Sequence, residues 1–250
     1  MSIDQAGCAA AIQDVIDQVL HTQRDNISAA AGLVADSLAA GGVVQAFGTG
    51  HSQGLSMEIA GRAGGFVPTN MLAIRDIVIY GGVKPADVDR LVERDPAVAH
   101  QIYDLATITP EDIFVIGSNS GGNGSVVEMA QLVRERGHRL IAITSLAHST
   151  RIESRHPSGK RLFELADVVI DNCAPYGDSL MSLAGGGSVC AVSSITSALA
   201  AQLMVAEVVA RQLAAGLTPP VYLSANVPGG DEHNDELEAR YAGRIRRGIS

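Results

Sequence analysis

Two glycine-rich stretches carry most of the chemistry that residue types alone reveal. The first, Gly48-Thr49-Gly50-His51-Ser52-Gln53-Gly54, follows a short apolar run, Val43–Phe47, and precedes a helical stretch, Leu55–Ala63. In a strand-to-helix turn of this kind, backbone N–H groups and the positive end of the helix form an anion site. The second runs from Gly117 through Ser118, Asn119, Ser120 and Gly121-Gly122 to Asn123, Gly124 and Ser125, after the apolar run Ile113–Ile116. One serine is enough to cap the helix that follows. Three hydroxyls are enough to hydrogen-bond phosphate or sulfonate oxygens with no cationic side chain. Nucleotide binding is the rival reading of the first loop. A dinucleotide fingerprint needs an acidic residue about 20 positions on. That stretch reads Phe66-Val67-Pro68-Thr69-Asn70, and Asp76 comes too late. Neither loop contains the Gly-Lys-Ser/Thr of a Walker A motif.

The elements that must position these loops follow from apolar periodicity. Residues 4–40 read as two amphipathic helices, ended by Gly41-Gly42. Short apolar runs at Val43–Phe47, Ile113–Ile116, Leu140–Ile143 and Asp167–Ile170 alternate with helices, the pattern of parallel strands covered on both faces. The segment Asn70–Pro110 is the least legible. A long helix is expected over Ser188–Ala215, with Val192, Ile195, Leu199, Leu203, Ala206, Val209 and Leu213 as its core stripe. A charged helix is expected over Asp235–Arg247. No low-complexity linker divides the chain, so one domain is expected. It comprises a helical arm (1–40), an α/β core (41–216) and an extension (217–250).

Composition excludes several functions. The 250 residues carry 18 Lys+Arg against 27 Asp+Glu, a net charge of −9, with no Trp and 4% aromatics. Such a chain releases few counterions from nucleic acid and offers little for base stacking, so no nucleic acid partner is expected. Ala198–Ala215 contains Gln202, Glu207, Arg211 and Gln212 and reads as a buried helix, so no membrane partner is expected either. Cys8, Cys173 and Cys190 suggest neither a disulfide framework nor a zinc cage, which fits a cytoplasmic setting. The first residues lack the basic and apolar regions of a secretory signal. No HxxxH or HExxH spacing occurs, so no metal is expected.

The two loops, with Val44-Gln45-Ala46-Phe47 before the first and Gly61-Arg62-Ala63-Gly64-Gly65 after its helix, resemble the sugar isomerase (SIS) domain family. The resemblance extends through Asp112–Gly121, Gly137 and Ile141-Ala142-Ile143-Thr144-Ser145, roughly residues 40–215. His148-Ser149, Asn226-Val227 and Asp231-Glu232-His233-Asn234 look like a subgroup built on a single SIS domain. The resemblance implies an α/β fold, a flavodoxin-like five-stranded parallel sheet between helices in three layers. It also implies a homodimer or homotetramer, an anionic sugar as the small-molecule partner, and no cofactor. Ser118, Ser120 and Asn123 would hold the sugar's anion, with Gly50, Ser52, Asn119, Ser145 and His148 beside it. Family members often carry Thr or Ser at the position of Asn123 and Glu at that of Ser125. The identity of the anion therefore stays open.

An aldose–ketose isomerase moves a proton between C1 and C2 through a cis-enediol and opens the sugar ring. Glu58, on an otherwise apolar helix where related isomerases carry a catalytic Glu, is the expected base. The plain alternative for Glu58 is an i,i+4 pair with Arg62. His51 and His233 are the candidates for ring opening, and His21, His100 and His138 are expected at the surface. Asp171-Asn172, after the fourth run, is equally a ligand pair or a strand-end cap. Two other functions stay open. One is a lyase or etherase on an amino-sugar phosphate. The other is a non-catalytic sugar-phosphate sensor, which the short, non-basic segment before the first strand weakens.

Overall fold

A parallel strand buried on both faces has no polar side to show, and the short apolar runs become strands of that kind. In the computed structural model, which describes residues 2–89 and 91–247, the chain opens with α1 (Gln5–Thr22), α2 (Arg24–Ala39) and β1 (Val44–Gly48). There follow α3 (Gln53–Ile59), β2 (Thr69–Leu72), α4 (Asp76–Ile79), α5 (Ala97–Asp104), β3 (Ile113–Gly117) and α6 (Gly124–Glu135). Then come β4 (Arg139–Thr144), α7 (Leu146–Ser149) and β5 (Val168–Asp171). A hairpin of β6 (Ser179–Ser182) and β7 (Ser188–Ala191) precedes α8 (Ser193–Ala214) and α9 (Gly230–Ala239). The core sheet has five parallel strands in the order β2-β1-β3-β4-β5. This is the expected flavodoxin-like α/β architecture.

Strand side chains alternate between two cores. Val44, Ala46, Val115, Ile141 and Ile143 pack with α2, α3 and α8 on one face. Phe47, Phe114, Ile116, Leu140 and Ala142 pack with α5 and α6 on the other. Because α2 contributes Ile27, Ala30, Ala31 and Val34 to the first core, this N-terminal helix is built into a layer of the fold.

The long helix departs from expectation in two ways. It begins at Ser193, because Ser188–Ala191 pairs with Ser179–Ser182 as a hairpin. It also turns a different face inward: Thr196, Ala200, Ala201, Met204, Val205 and Val208 are buried, while Ile195 and Leu213 are 42% and 59% exposed. Small residues let α8 lie close against Ala30 and Ala31 of α2. Of the expected stripe Val192, just ahead of the helix, is fully buried, and the bulkier residues end up at the flank and surface. By length and composition α8 could cross a membrane, but here it packs on α2 and α3.

Three further expectations are corrected. Cys8 of α1 and Cys190 of β7 are joined as a disulfide, leaving Cys173 free. Nothing in a separation of 182 residues signals that pairing. His138 is buried, bonded to Tyr103 Oη at 3.0 Å and to the Asp112 carbonyl at 3.1 Å. The C-terminal helix starts five residues earlier than expected and ends at Ala239. The basic residues after it form a strap along the amino-terminal edge of the sheet. Arg244 bonds Asp112 and the Gly41 carbonyl, and Arg247 bonds the Val67 and Thr69 carbonyls.

Candidate functional site

In the order 2-1-3-4-5, the chain reverses direction between β1 and β3, and open α/β sheets bind ligands at the carboxyl ends of such a pair. Gly48 and Gly117 are register partners at those ends, so both glycine-rich loops leave the sheet side by side. Between them lies a cleft lined by His51, Ser52 and Leu55 from the first loop and helix, and by Ser118 and Asn119 from the second. Ser193, Ser194 and Ser197 of α8 close it. Two roomier hollows lie elsewhere, one among α1, α2 and α8 and one between residues 83–95 and α5. Neither brings a glycine-rich loop and a histidine together, and the converging donors, not the volume, mark the site.

The second loop is held by bonds of its own. Ser118 Oγ accepts the Gly121 N–H at 3.0 Å, which closes the turn and leaves its O–H free to donate. The Asn119 carbonyl accepts the Ser145 N–H at 3.2 Å. Asn172 donates through Nδ2 to Asn119 Oδ1 at 3.2 Å and Ser197 Oγ at 3.1 Å, tying this loop to the end of β5 and to α8. Asn172 is therefore a bridge. Asp171 caps α7 and the following turn, accepting the Leu146 and Cys173 N–H groups. Ser120 stays half-buried within the loop.

The far half of that loop is covered, which narrows the expected cradle. Gly121 and Gly122 accept, through their carbonyls, the Leu162 and Arg155 N–H groups. Asn123, the N-cap of α6, accepts Arg155 Nη1 on its Oδ1 at 2.9 Å. The Asn123 side-chain oxygen is thus occupied, and a cation stands at this helix end after all. Ser125 Oγ donates to the Glu93 carbonyl at 2.7 Å.

Three expected site residues lie elsewhere. Ser145 is buried, donating to the Ala174 carbonyl at 2.6 Å and capping α7 through His148 N, so it serves the turn. Glu58 sits near the end of α3, bonded to Arg62 and to Gln202 Nε2 at 2.6 Å, and takes the plain ion-pair role. Its carboxylate reaches α8 at Gln202 and does not line the cleft between the loops. His233 lies in the first turn of α9 and bonds the Val221 carbonyl at 3.1 Å. Val221 bridges Phe66, just ahead of β2. Within the chain His233 therefore sits at the amino-terminal edge of the sheet, opposite the loops.

His148 does lie at the carboxyl edge, on α7 directly after β4. It stacks on Tyr176 with centroids 5.0 Å apart, and its Nδ1 accepts the Gly177 N–H at 3.0 Å. That bond leaves the proton on Nε2. Burial lowers its pKa, against an opposing pull from Asp178, which favours the neutral ring. Asp178 in turn caps α8, accepting Ser193 N at 2.7 Å and Ser193 Oγ at 2.8 Å. An anionic side chain thus already occupies that helix end, and α8 contributes hydroxyls to the cleft.

Sequence reasoning missed two contributions. The serines at 193, 194 and 197 could have been read as the polar first turn of the long helix. Glu93 had no local signal. It lies in a 3₁₀ turn, Val92–Arg94, between β2 and α5. Its carbonyl is held by Ser125, and its carboxylate rests against Gly50 of the first loop.

Behind α6, Glu128 bonds His100 and His156, each at 2.6 Å, and clasps the covering segment to α5. Burial raises the Glu128 pKa, but the two imidazoles outweigh it and the net direction is down. A lowered carboxyl pKa adds stability above the unfolded value, about 4.3, and loses it as pH falls through the folded value. Glu128→Gln is expected to flatten the acid limb of a melting-temperature profile below about pH 4.3. An unchanged limb would show that the clasp contributes nothing.

Comparison with known proteins gives three findings. A family model described as "SIS domain" matches residues 9–145. UPF0309 protein lmo0025 of Listeria monocytogenes is 38% identical over 234 residues, covering 93% of this chain and 95% of the relative. Among solved structures, phosphoheptose isomerase GmhA from Neisseria gonorrhoeae superposes with a TM-score of 0.54 at 17% identity, covering 82% of this chain and 96% of that one. The NanR protein of Vibrio vulnificus, complexed with ManNAc-6P, gives a TM-score of 0.50 at 12% identity, covering 96% and 69%. At these identities the structural likeness is one of fold.

Proposed function

The chain belongs to the SIS domain family, and from that premise we propose that it is an aldose–ketose isomerase of a phosphorylated or sulfonated sugar. The observation that carries the reading is the convergence of His51 with the hydroxyls of Ser52, Ser118, Ser194 and Ser197 in one cleft between the two glycine-rich loops. Neutral O–H and N–H donors bind a phosphate or sulfonate well where they are pre-arranged, because charge-assisted hydrogen bonds are about twice as strong as neutral ones. The Ser118–Ser120 turn would take the anion, and His51 would shuttle protons between the sugar's ring and carbonyl oxygens. A cis-enediol route moves protons only and calls for no redox partner.

The test is turnover. C2-deuterated aldose phosphates and sulfonates of five to seven carbons are incubated with the protein, and loss of deuterium is followed by NMR. Exchange with formation of the ketose is expected for at least one of them. Ser118→Ala is expected to weaken its binding about tenfold, the loss of one hydrogen bond to a charged group. Tight binding without exchange for every sugar would replace the isomerase with a sensor.

A further inference from the structure

An isomerase of this kind needs a carboxylate at the loops, and Glu58 is engaged by Arg62 and Gln202. Three other carboxylates near the carboxyl edge are engaged as well. Asp171 accepts the Leu146 and Cys173 amides, Asp178 caps α8, and Glu128 joins two histidines. Glu93 differs. Among the described residues no hydrogen bond or ion pair holds its carboxylate, while its backbone is fixed twice over. Its carbonyl accepts Ser125 Oγ, and the neighbouring Arg94 carbonyl lies so near α6 that a Cβ on Gly124 would sit 2.0 Å from it. The side chain reaches across to the first loop. Gly50 there has φ +56°, and a Cβ at that position would lie 3.3 Å from Glu93 Oε2. Residue 93 thus bridges the two loops, by its backbone to the second and by its carboxylate to the first, one residue from His51.

Resting on the isomerase reading above, we propose that Glu93 is the catalytic base of this site. Its carboxylate takes the proton from C2 of the open-chain aldose. The C–H electron pair becomes the C1=C2 bond of the enediol while the C1 carbonyl oxygen gains a proton from His51. Glu93 then returns its proton to C1 as the C2 hydroxyl gives its own to His51, and C2 becomes the carbonyl carbon. Protons and electrons balance, and the product is the isomeric ketose. The segment from β2 to α5 acquires a purpose by this assignment: it carries a carboxylate to loops that lack one.

The experiment compares Glu93→Gln, Glu93→Asp and Glu58→Gln in the deuterium-exchange assay, with binding of the turned-over sugar measured by calorimetry. Glu93→Gln is expected to lose about 10²–10⁴-fold in exchange, the usual contribution of a general base, with affinity within about threefold of the parent. Glu93→Asp keeps the charge but draws it back, and an intermediate loss at an unchanged melting temperature is expected. Glu58→Gln is expected to exchange at near the parent rate. Parent-like exchange in Glu93→Gln, or its loss in Glu58→Gln alone, would overturn the assignment and leave the isomerase standing. Absence of exchange in the unmodified protein with every sugar would remove both.

Discussion

Asp112→Ala is expected to lower the unfolding free energy by about 3–5 kcal/mol, the usual result of removing one partner from a buried ion pair. The Asp112 side chain is fully buried and pairs with Arg244 Nη2 at 2.5 Å. It also accepts Val43 N at 2.9 Å, Gln45 Nε2 at 2.8 Å and both donors of Thr109. Those donors belong to the starts of β1 and β3 and to the C-terminal strap, so one carboxylate fixes three segments that meet only in the folded chain. Alanine would leave Gln45 and the Val43 amide without acceptors in a layer that water does not reach. Asp112→Asn is expected to be nearly as damaging, because every group facing the carboxylate is a donor and the new NH₂ would point at one of them. Deleting residues 244–250 removes the guanidinium and is expected to destabilise in the same direction. Chemical denaturation checks all three, and a loss under about 1 kcal/mol for Asp112→Ala would refute this account of the edge.

On the proposed role of Glu93, Gly124→Ala is expected to reduce sugar turnover by about 10²-fold or more and to lower stability as well, because a misplacement of about 1 Å at a catalytic group has effects of that size. A Cβ at residue 124 would lie 2.0 Å from the Arg94 carbonyl oxygen and 2.8 Å from its carbon. Backbone atoms cannot swing aside as a side-chain tip can. The whole turn of residues 92–96 has to retreat, breaking the Ser125–Glu93 bond and drawing the Glu93 carboxylate away from Gly50. Alanine is a better helix former than glycine by about 1 kcal/mol, which offsets part of the strain. Gly54→Ala serves as the comparison: it adds a methyl group on α3 with no atom within 4 Å and is expected to raise stability slightly. Parent-like turnover in Gly124→Ala would show that the placement of residues 92–96 is immaterial to the reaction.

Several elements were legible because their signals are local. β1, β3, β4 and β5 announce themselves as apolar runs, since a strand covered on both faces needs apolar side chains at successive positions. β2 was obscured because Asn70 lies within it and spends its side chain on the strap, bonding Arg244 O and Arg246 N. Periodicity picks out the bulky face of α8, whereas close approach to α2 selects alanine. The boundary between hairpin and α8 has no local signal, because the helix cap comes from Asp178, on the far side of the hairpin, and not from the residue beside Ser193.

By itself the sequence determined the alternation of strands and helices and the presence of two glycine- and serine-rich loops, each between a strand and a helix. Those features depend on backbone geometry and on neighbours within a few residues. Only the tertiary structure decided which side chains meet at the loops. It sends His233 to the opposite edge of the sheet, commits Glu58 to Arg62 and Gln202, and brings in three serines from α8 and the Glu93 carboxylate from the β2–α5 connection. The path of a long connection and the rotation of a helix are set by packing across the whole core, and no short stretch of residues encodes either one.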